Sequence, residues 1–425
     1  MKKRVKYILY FITAGIALTT CKTPYTPAPI TAVNNYLVVE GLININDSTY
    51  INLSRTVGVM SASTVKPELK ATITIESNTG GSYPLKEVGN GVYSAPSYNL
   101  SAANQYRLMI KTSNGSTYAS DFEQTKVTPP IDSLITDMEP DGLHVNINTH
   151  DPQNATRYYR WDYSETWQFT SYFDSKYTAQ GAATSPLTMS PFYVGSGITV
   201  LPRTNDIYHC WGGDASATIL LNTTAGLSQD IIKNQPITFV ASSSEKLSIR
   251  YSINIKQYAL TQDAYAFWTL LKTNTEQLGS IFDAQPSASI GNIHNVNNPN
   301  EVVIGYMSAC SVSQKRIYID HTAEPLSYST DYQNNNPYGP YGQNNCALAT
   351  NCCFVAQLDP KGNLVQYQEL SVFIINYPNA SLIPIALLDT INLNVYPEKG
   401  SHSGADPICA DCTLRGTNVK PAFWQ

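Results

Sequence analysis

Leu247-Ser248-Ile249-Arg250-Tyr251-Ser252-Ile253-Asn254-Ile255 decides the fold class. Leu247, Ile249, Tyr251, Ile253 and Ile255 alternate without a break with Ser248, Arg250, Ser252 and Asn254. A period of two places the apolar set on one face of a strand and the polar set on the other. That is the pattern of an antiparallel sheet with one buried and one wet face. The alternation recurs at Thr72-Ile73-Thr74-Ile75, along Tyr106 to Ile110, and at Leu143, Val145 and Ile147, while an apolar run spans Tyr36 to Ile43. Turn formers separate the early runs at Asn78-Thr79-Gly80-Gly81, Gly89-Asn90-Gly91 and Asn114-Gly115. Short strands at this spacing over residues 36–127 predict an immunoglobulin-like β-sandwich. Pro129-Pro130 then marks a linker over residues 128–134, because consecutive prolines resist both ladder and helix. Residues 135–425 are expected to form a larger antiparallel β-domain. One helix interrupts it at 261–278, with Thr261 as N-cap, Asp263 complementing the positive end and Gly279 as stop. Ala264, Phe267, Trp268, Leu271, Thr275 and Leu278 share one face of that helix and are read as packing against the sheet. The predicted class is all-β with one packed helix.

The first residues bear on the compartment. Met1 to Lys6 is basic, and Tyr7 to Leu18 is an apolar stretch too short to span a bilayer. Leu18-Thr19-Thr20-Cys21 has the form of a lipobox, with Thr20 standing where Gly, Ala or Ser is usual. Residues 1–20 are therefore expected to be a signal peptide and Cys21 to carry lipid. The alternatives are a plain secretory signal or an uncleaved anchor, and both still export residues 22 onward. A Pro-rich tether over 21–35 would hold the folded part away from a membrane. Of the eight cysteines, Cys210, Cys310, Cys346, Cys352, Cys353, Cys409 and Cys412 remain as candidate disulfide partners in an oxidising compartment. Seven is odd, so at least one thiol is left free or joined to another chain.

Only 14% of the 425 residues are charged, against roughly a quarter in average soluble proteins, and 29 tyrosines supply much of the polarity. Tyrosine and threonine suit strands. The net charge is −5 and no basic block follows the signal, which argues against nucleic-acid binding. No hydrolase elbow, zinc-protease helix, phosphate loop or EF-hand is present, and the six histidines are scattered singly. No catalytic residue, metal site or cofactor is assigned. Cys409-Ala-Asp-Cys412 admits three readings: a redox pair, part of a zinc site with Cys352, Cys353 and His402, or structural disulfides. The third is favoured, with Arg415, Lys420 and Trp424 docking the C-terminal tail on the second domain.

The candidate binding residues are aromatic. Tyr159, Trp161 and Tyr163 share one strand face, and Trp167 and Phe169 the next. Exposed rings of this kind are platforms for sugars or protein partners; otherwise one face is core. Tyr332, Tyr338 and Tyr341 sit in a turn-rich stretch at 331–345 and are the better candidates for exposed contact. Asn292 to Asn300 is a polar segment that either meets a ligand or simply connects.

Several segments together carry a resemblance: Tyr36 to Ile43, Pro129 to Leu134, the helix leading to Gly291-Asn292-Ile293, Val303 to Ala309, and Cys409 to Trp424. The combination resembles the Bacteroidota outer-membrane lipoproteins of domain-of-unknown-function family 4249, over nearly the whole mature chain. It departs in having only Gly416 where the family's ending often has two glycines. The resemblance implies an outer-membrane lipoprotein, facing periplasm or cell surface, that acts beside a TonB-dependent import receptor. It implies no catalytic residue. A free-standing glycan- or peptide-binding lipoprotein is the alternative, and a hydrolase with an unrecognised site is the weakest of the three.

Overall fold

Inward-facing Leu37 and Val39 begin an alternation that builds the first of two sandwiches. The computed structural model describes residues 35–57, 65–180, 199–276, 291–320, 354–358, 364–369, 383–387, 402–405 and 407–425. The first ten strands are β1 (Leu37–Gly41), β2 (Ile43–Asn44), β3 (Thr49–Arg55), β4 (Lys66–Pro67), β5 (Thr72–Ser77), β6 (Ser82–Gly89), β7 (Val92–Ala95), β8 (Gln105–Lys111), β9 (Thr117–Ser120) and β10 (Glu123–Gln124). One layer runs β7-β3-β1 and the other β5-β8-β9. Strand β6 serves both: Ser82 to Leu85 pair with β5, and Lys86 to Gly89 pair with β7. Leu37, Ile51, Leu53, Ile73, Ile75 and Leu108 are fully buried between the layers.

The tyrosine content has a structural use here. Tyr93, Tyr106 and Tyr118 put their rings in this core, and each hydroxyl reaches a partner at its rim. Tyr93 donates to the Glu68 carbonyl at 2.9 Å, Tyr106 to the Ser101 carbonyl at 3.1 Å and Tyr118 to the Glu301 carboxylate at 2.7 Å. A ring in the core with its oxygen satisfied buries area without an orphaned polar group. At the hairpin tip Asn90 and Gly91 have φ of 50° and 78°, the left-handed pair that a tight two-residue β-turn requires.

The boundary at residue 127 does not hold. Three short strands from much later in the chain complete the first sandwich: β20 (Ile293–Asn295), β21 (Val303–Ile304) and β22 (Ala309–Cys310). β20 pairs antiparallel with β9, whereas β21 and β22 run parallel to β1 and β2. Ile293, Val303, Met307 and Ala309 enter the same core. They cover edges that β1 and β9 would otherwise leave open. Local alternation cannot show such a return. The 128–134 linker is also corrected. Ile131 already begins strand β11 (Ile131–Glu139), and the Pro129 carbonyl accepts from Gln257 Nε2 at 2.9 Å. The prolines end a bonded connection.

The second unit is again two-layered. β11, β12 (Gly142–His150) and β18 (Ile231–Ala241) form one sheet. The other runs β16 (His209–Ala215), β13 (Tyr158–Thr170), β19 (Arg250–Ala259) and β23 (Val312–Asp320), with β17 (Leu220–Thr223) also on β13. A hairpin of β14 (Tyr177–Gln180) and β15 (Thr199–Pro202) lies apart. Leu143, Val145 and Ile147 meet Tyr251, Ile253 and Ile255 across the core. The strand at 247–255 is shifted: Glu245–Leu247 is a single 3-10 turn capped by Ser244, and the extended run starts at Arg250. Its second face is not simply wet, since Ser252 and Tyr258 on it are buried. Helix α1 (Gln262–Glu276) covers one end of that face, and the C-terminal tail the other. Thr261 caps the helix by accepting the Ala264 amide at 3.2 Å, and Phe267 packs against Tyr306. Gly279 and Leu278 lie outside the described residues.

The C-terminal tail is held on the second unit at several points. Cys210 and Cys412 form a disulfide across 202 residues. Thr417 exchanges backbone hydrogen bonds with Trp211, at 2.8 and 3.0 Å. Arg415 pairs with Glu245 and lies over the Phe169 ring, and Trp424 is buried against Tyr318. Lys420 is exposed and takes no part. Cys409 is also disulfide-bonded, and Cys310 is a free, buried thiol. Cys346, Cys352 and Cys353 lie outside the described residues. Replacing Cys210 and Cys412 by Ala is expected to cost ~2–5 kcal/mol, the usual value for a native disulfide. Thermal unfolding of the variant checks this, and an unchanged midpoint would contradict it.

Candidate ligand-binding cleft

The larger sheet of the second unit carries rings on its inner face and charge on its outer face. Odd-numbered residues of β13 point inward. Tyr159 and Trp161 are therefore core, stacked at 5.8 Å with 6° between their planes. The Tyr159 hydroxyl donates to Asp230 at 3.0 Å, and the Trp161 indole N–H donates to Gln257 at 2.9 Å. Neither is a binding platform. Trp167 is half-buried beneath the Lys246 ammonium, 5.0 Å from the ring centroid, and beside the Cys210–Cys412 disulfide. Tyr332, Tyr338, Tyr341 and Cys21 lie outside the described residues.

The even-numbered residues between those rings make the more distinctive surface. Cross-strand register sets Arg160 beside Tyr258 and Asp162 beside Lys256, and sets Gln314 beside Lys256 from the other side. Arg160 lies over two rings, 4.5 Å from the centroid of Tyr258 and 4.3 Å from that of Trp268 on α1. Its Nη2 is 3.5 Å from Asp162 Oδ2, which also accepts the Tyr258 hydroxyl at 2.8 Å. Burial, reinforced by that carboxylate, raises the Tyr258 phenol well above its ordinary value, so it stays a donor.

This patch is the floor of a cleft of about 810 Å³. Its walls are α1 on one side and, on the other, the outer face of the first sandwich with Glu40, Asp47, Tyr50 and Ile304. The volume falls in the ~300–1,000 Å³ range of small-molecule sites. Among the described residues the Lys256 ammonium, the Trp268 indole N–H and the Tyr50 hydroxyl make no hydrogen bond, and the Arg160 guanidinium meets only the Asp162 carboxylate at 3.5 Å, so donors remain on all four to meet a ligand. Sequence reading missed this set. Alternation alone would place Arg160 and Asp162 opposite the rings, but their convergence with Lys256, Trp268 and Glu40 depends on register and on how the two units meet.

Behind the cleft wall lies a buried carboxyl. Glu123 Oε1 accepts from the Tyr306 hydroxyl at 2.7 Å and from Asn292 Nδ2 at 2.9 Å, and Oε2 lies 3.4 Å from Thr261 Oγ1. Burial raises its pKa. Asn292 also exchanges hydrogen bonds with the Met307 backbone, and Asn295 Nδ2 donates to Glu301 at 2.6 Å. The polar run at 292–300 is therefore a connection whose leading amides are spent internally.

Three histidines among the described residues have surface partners. No hydroxyl or thiol there hydrogen-bonds to a histidine; His144, His150 and His209 each pair with an aspartate at the surface. The Cys310 thiol is pushed up to about 12 by burial. Cys412 is joined to Cys210 and Cys409 is itself disulfide-bonded, so neither is a free zinc-ligating thiol and the two do not form a redox pair.

Residues 22–316 match the family described as Domain of unknown function (DUF4249). The chain belongs to this family. Every residue lining the cleft falls inside the matched span of this DUF4249 protein, whereas the Cys409 to Trp424 ending, which contributed to the resemblance, falls outside it. No curated protein matches the chain. One of the solved structures that match is similar at 9% identity and a TM-score of 0.15, over 55% of this chain and 91% of that one. It is titled as the manganese lipoxygenase of Gaeumannomyces graminis with partial zonadhesin of Komagataella pastoris, and a likeness this slight carries no argument.

The buried carboxyl generates a pH prediction. Because the folded pKa of Glu123 is raised, the folded state holds its proton longer than the unfolded chain does. Stability should therefore fall as pH rises from the ordinary glutamate range through the raised value. Glu123→Gln keeps the acceptor for Tyr306 and should remove that part of the slope. Urea midpoints across this pH range check it; an unaltered slope would count against the buried, protonatable role.

Proposed function

We propose that this chain is a non-catalytic outer-membrane lipoprotein, anchored through Cys21, that presents a ligand to or docks on a TonB-dependent import receptor. The observation that carries the reading is the cleft between the two sandwiches, with donors on its floor and rings on its walls. A concave site of this size with a few convergent polar groups supports a ligand-binding role. The export signal and lipobox support placement on the membrane, with the tether at 21–35 giving reach to a neighbouring receptor. The resemblance to lipoproteins found beside TonB-dependent receptors supplies the partner. The same cleft supports a second reading, a free-standing binder of glycans or peptides.

Mild-detergent purification of the tagged native protein, with mass spectrometry of what accompanies it, separates the two. A TonB-dependent receptor at near-equal stoichiometry is the expected result. Recovery of the lipoprotein alone, from cells that express the receptor, would sink the accessory role and leave the free-standing binder.

A further inference from the structure

The cleft carries cations on its floor and carboxylates on its sandwich wall. The floor offers two cations, Arg160 and Lys256, on adjacent strands. Asp162 stands between them, but its carboxylate already accepts the Tyr258 hydroxyl and lies 3.5 Å from Arg160, so Lys256 is left as the uncompensated charge. The first sandwich contributes Glu40 and Asp47 to its wall of the cleft. Glu40 Oε2 accepts from Asn52 at 2.8 Å, and Asp47 caps its own turn by accepting the Ser48 amide at 2.7 Å. Each thus keeps acceptor capacity for a cation. Two rings line the same cleft, Trp268 on the helix side and Tyr50, 59% exposed, on the sandwich side.

A neutral glycan would use the rings and leave both sets of charges without partners. A polyanion would meet Glu40 and Asp47 as repulsion. A molecule with a carboxylate at one end, an ammonium at the other and an apolar body satisfies all three features. We infer that the cleft binds short peptides with free ends, the carboxylate at Arg160 and Lys256, the ammonium at Glu40 and Asp47, and side chains against Trp268 and Tyr50. Arg160 is suited to its part because two rings hold its guanidinium flat, so little side-chain freedom is lost when it grips a planar carboxylate. The inference rests on the reading of the cleft as a binding site and names what occupies it.

The test is calorimetric titration of the full-length lipoprotein in detergent with three probes: a phenylalanine-containing tripeptide, its N-acetylated form and its C-amidated form. The free tripeptide should bind, and each capped form should bind about tenfold more weakly or worse, the effect of losing one charge-assisted hydrogen bond. Lys256→Gln should reduce the discrimination against the amide and leave that against the acetylated form. Glu40→Gln should do the reverse. Both positions are exposed, so the variants should unfold at the parent's temperature. Equal binding of all three probes would overturn the inference, as would unchanged discrimination in both variants. Binding of a neutral oligosaccharide instead, lost in Trp268→Ala, would overturn the peptide assignment and leave the cleft as a binding site. No binding of either class would overturn both.

Discussion

The buried carboxyl of Glu123 is the point on which the arrangement of the molecule depends. It joins three segments that are distant in the chain: β10 at the end of the first sandwich, the returning segment that carries Asn292 and Tyr306, and Thr261 at the start of the helix. A carboxyl in such a place is costly unless its oxygens are satisfied, and here they are. The segment it holds is pressed hard against β1. A Cβ on Gly305 would lie 2.1 Å from the Val39 carbonyl, and one on Gly291 would lie 1.8 Å from the Gly305 carbonyl. Glycine is required at both positions for the backbone to close. With Tyr306 and the helix cap fixed to one carboxyl, the helix wall and the sandwich wall of the cleft hold a defined separation.

The two ends of the second unit's large sheet are treated differently, and that difference creates the site. At one end the last residues of the C-terminal tail lie across the outer face, with Phe423 under Arg316 and Trp424 against Tyr318. At the other end the helix covers only part of the same face. Phe267 goes into the junction core, while Trp268, one position on, turns over Arg160 and toward the open space. The charged patch of Arg160, Asp162 and Lys256 is left facing the first sandwich across a gap.

What the sequence made legible was local. The alternation of Tyr251, Ile253 and Ile255, the Asn90-Gly91 turn and the Thr261 cap are each set by neighbours within a few residues, and the structure has them. The aromatic run at 158–173 misled because rings draw the eye toward binding, whereas Tyr159 and Trp161 fill the core by virtue of being apolar on the buried face. The residues that face the cleft are the charged ones between them. Long-range facts were not legible at all. Parallel pairing of Val303 with Leu37 leaves no local mark, and neither does the register that sets Arg160 beside Tyr258. The domain boundary at 127 failed for the same reason, since a proline pair shows where a strand cannot run and not where the chain returns.

The central claim is that this protein meets its ligand in the cleft between its two sandwiches. Hydrogen–deuterium exchange of the full-length protein, with and without a pool of short peptides, tests that claim most directly. The account predicts slowed exchange confined to three stretches, around residues 38–50, 256–271 and 304–314. Protection that appeared elsewhere, around 331–345 for example, and left those three stretches unchanged would contradict it.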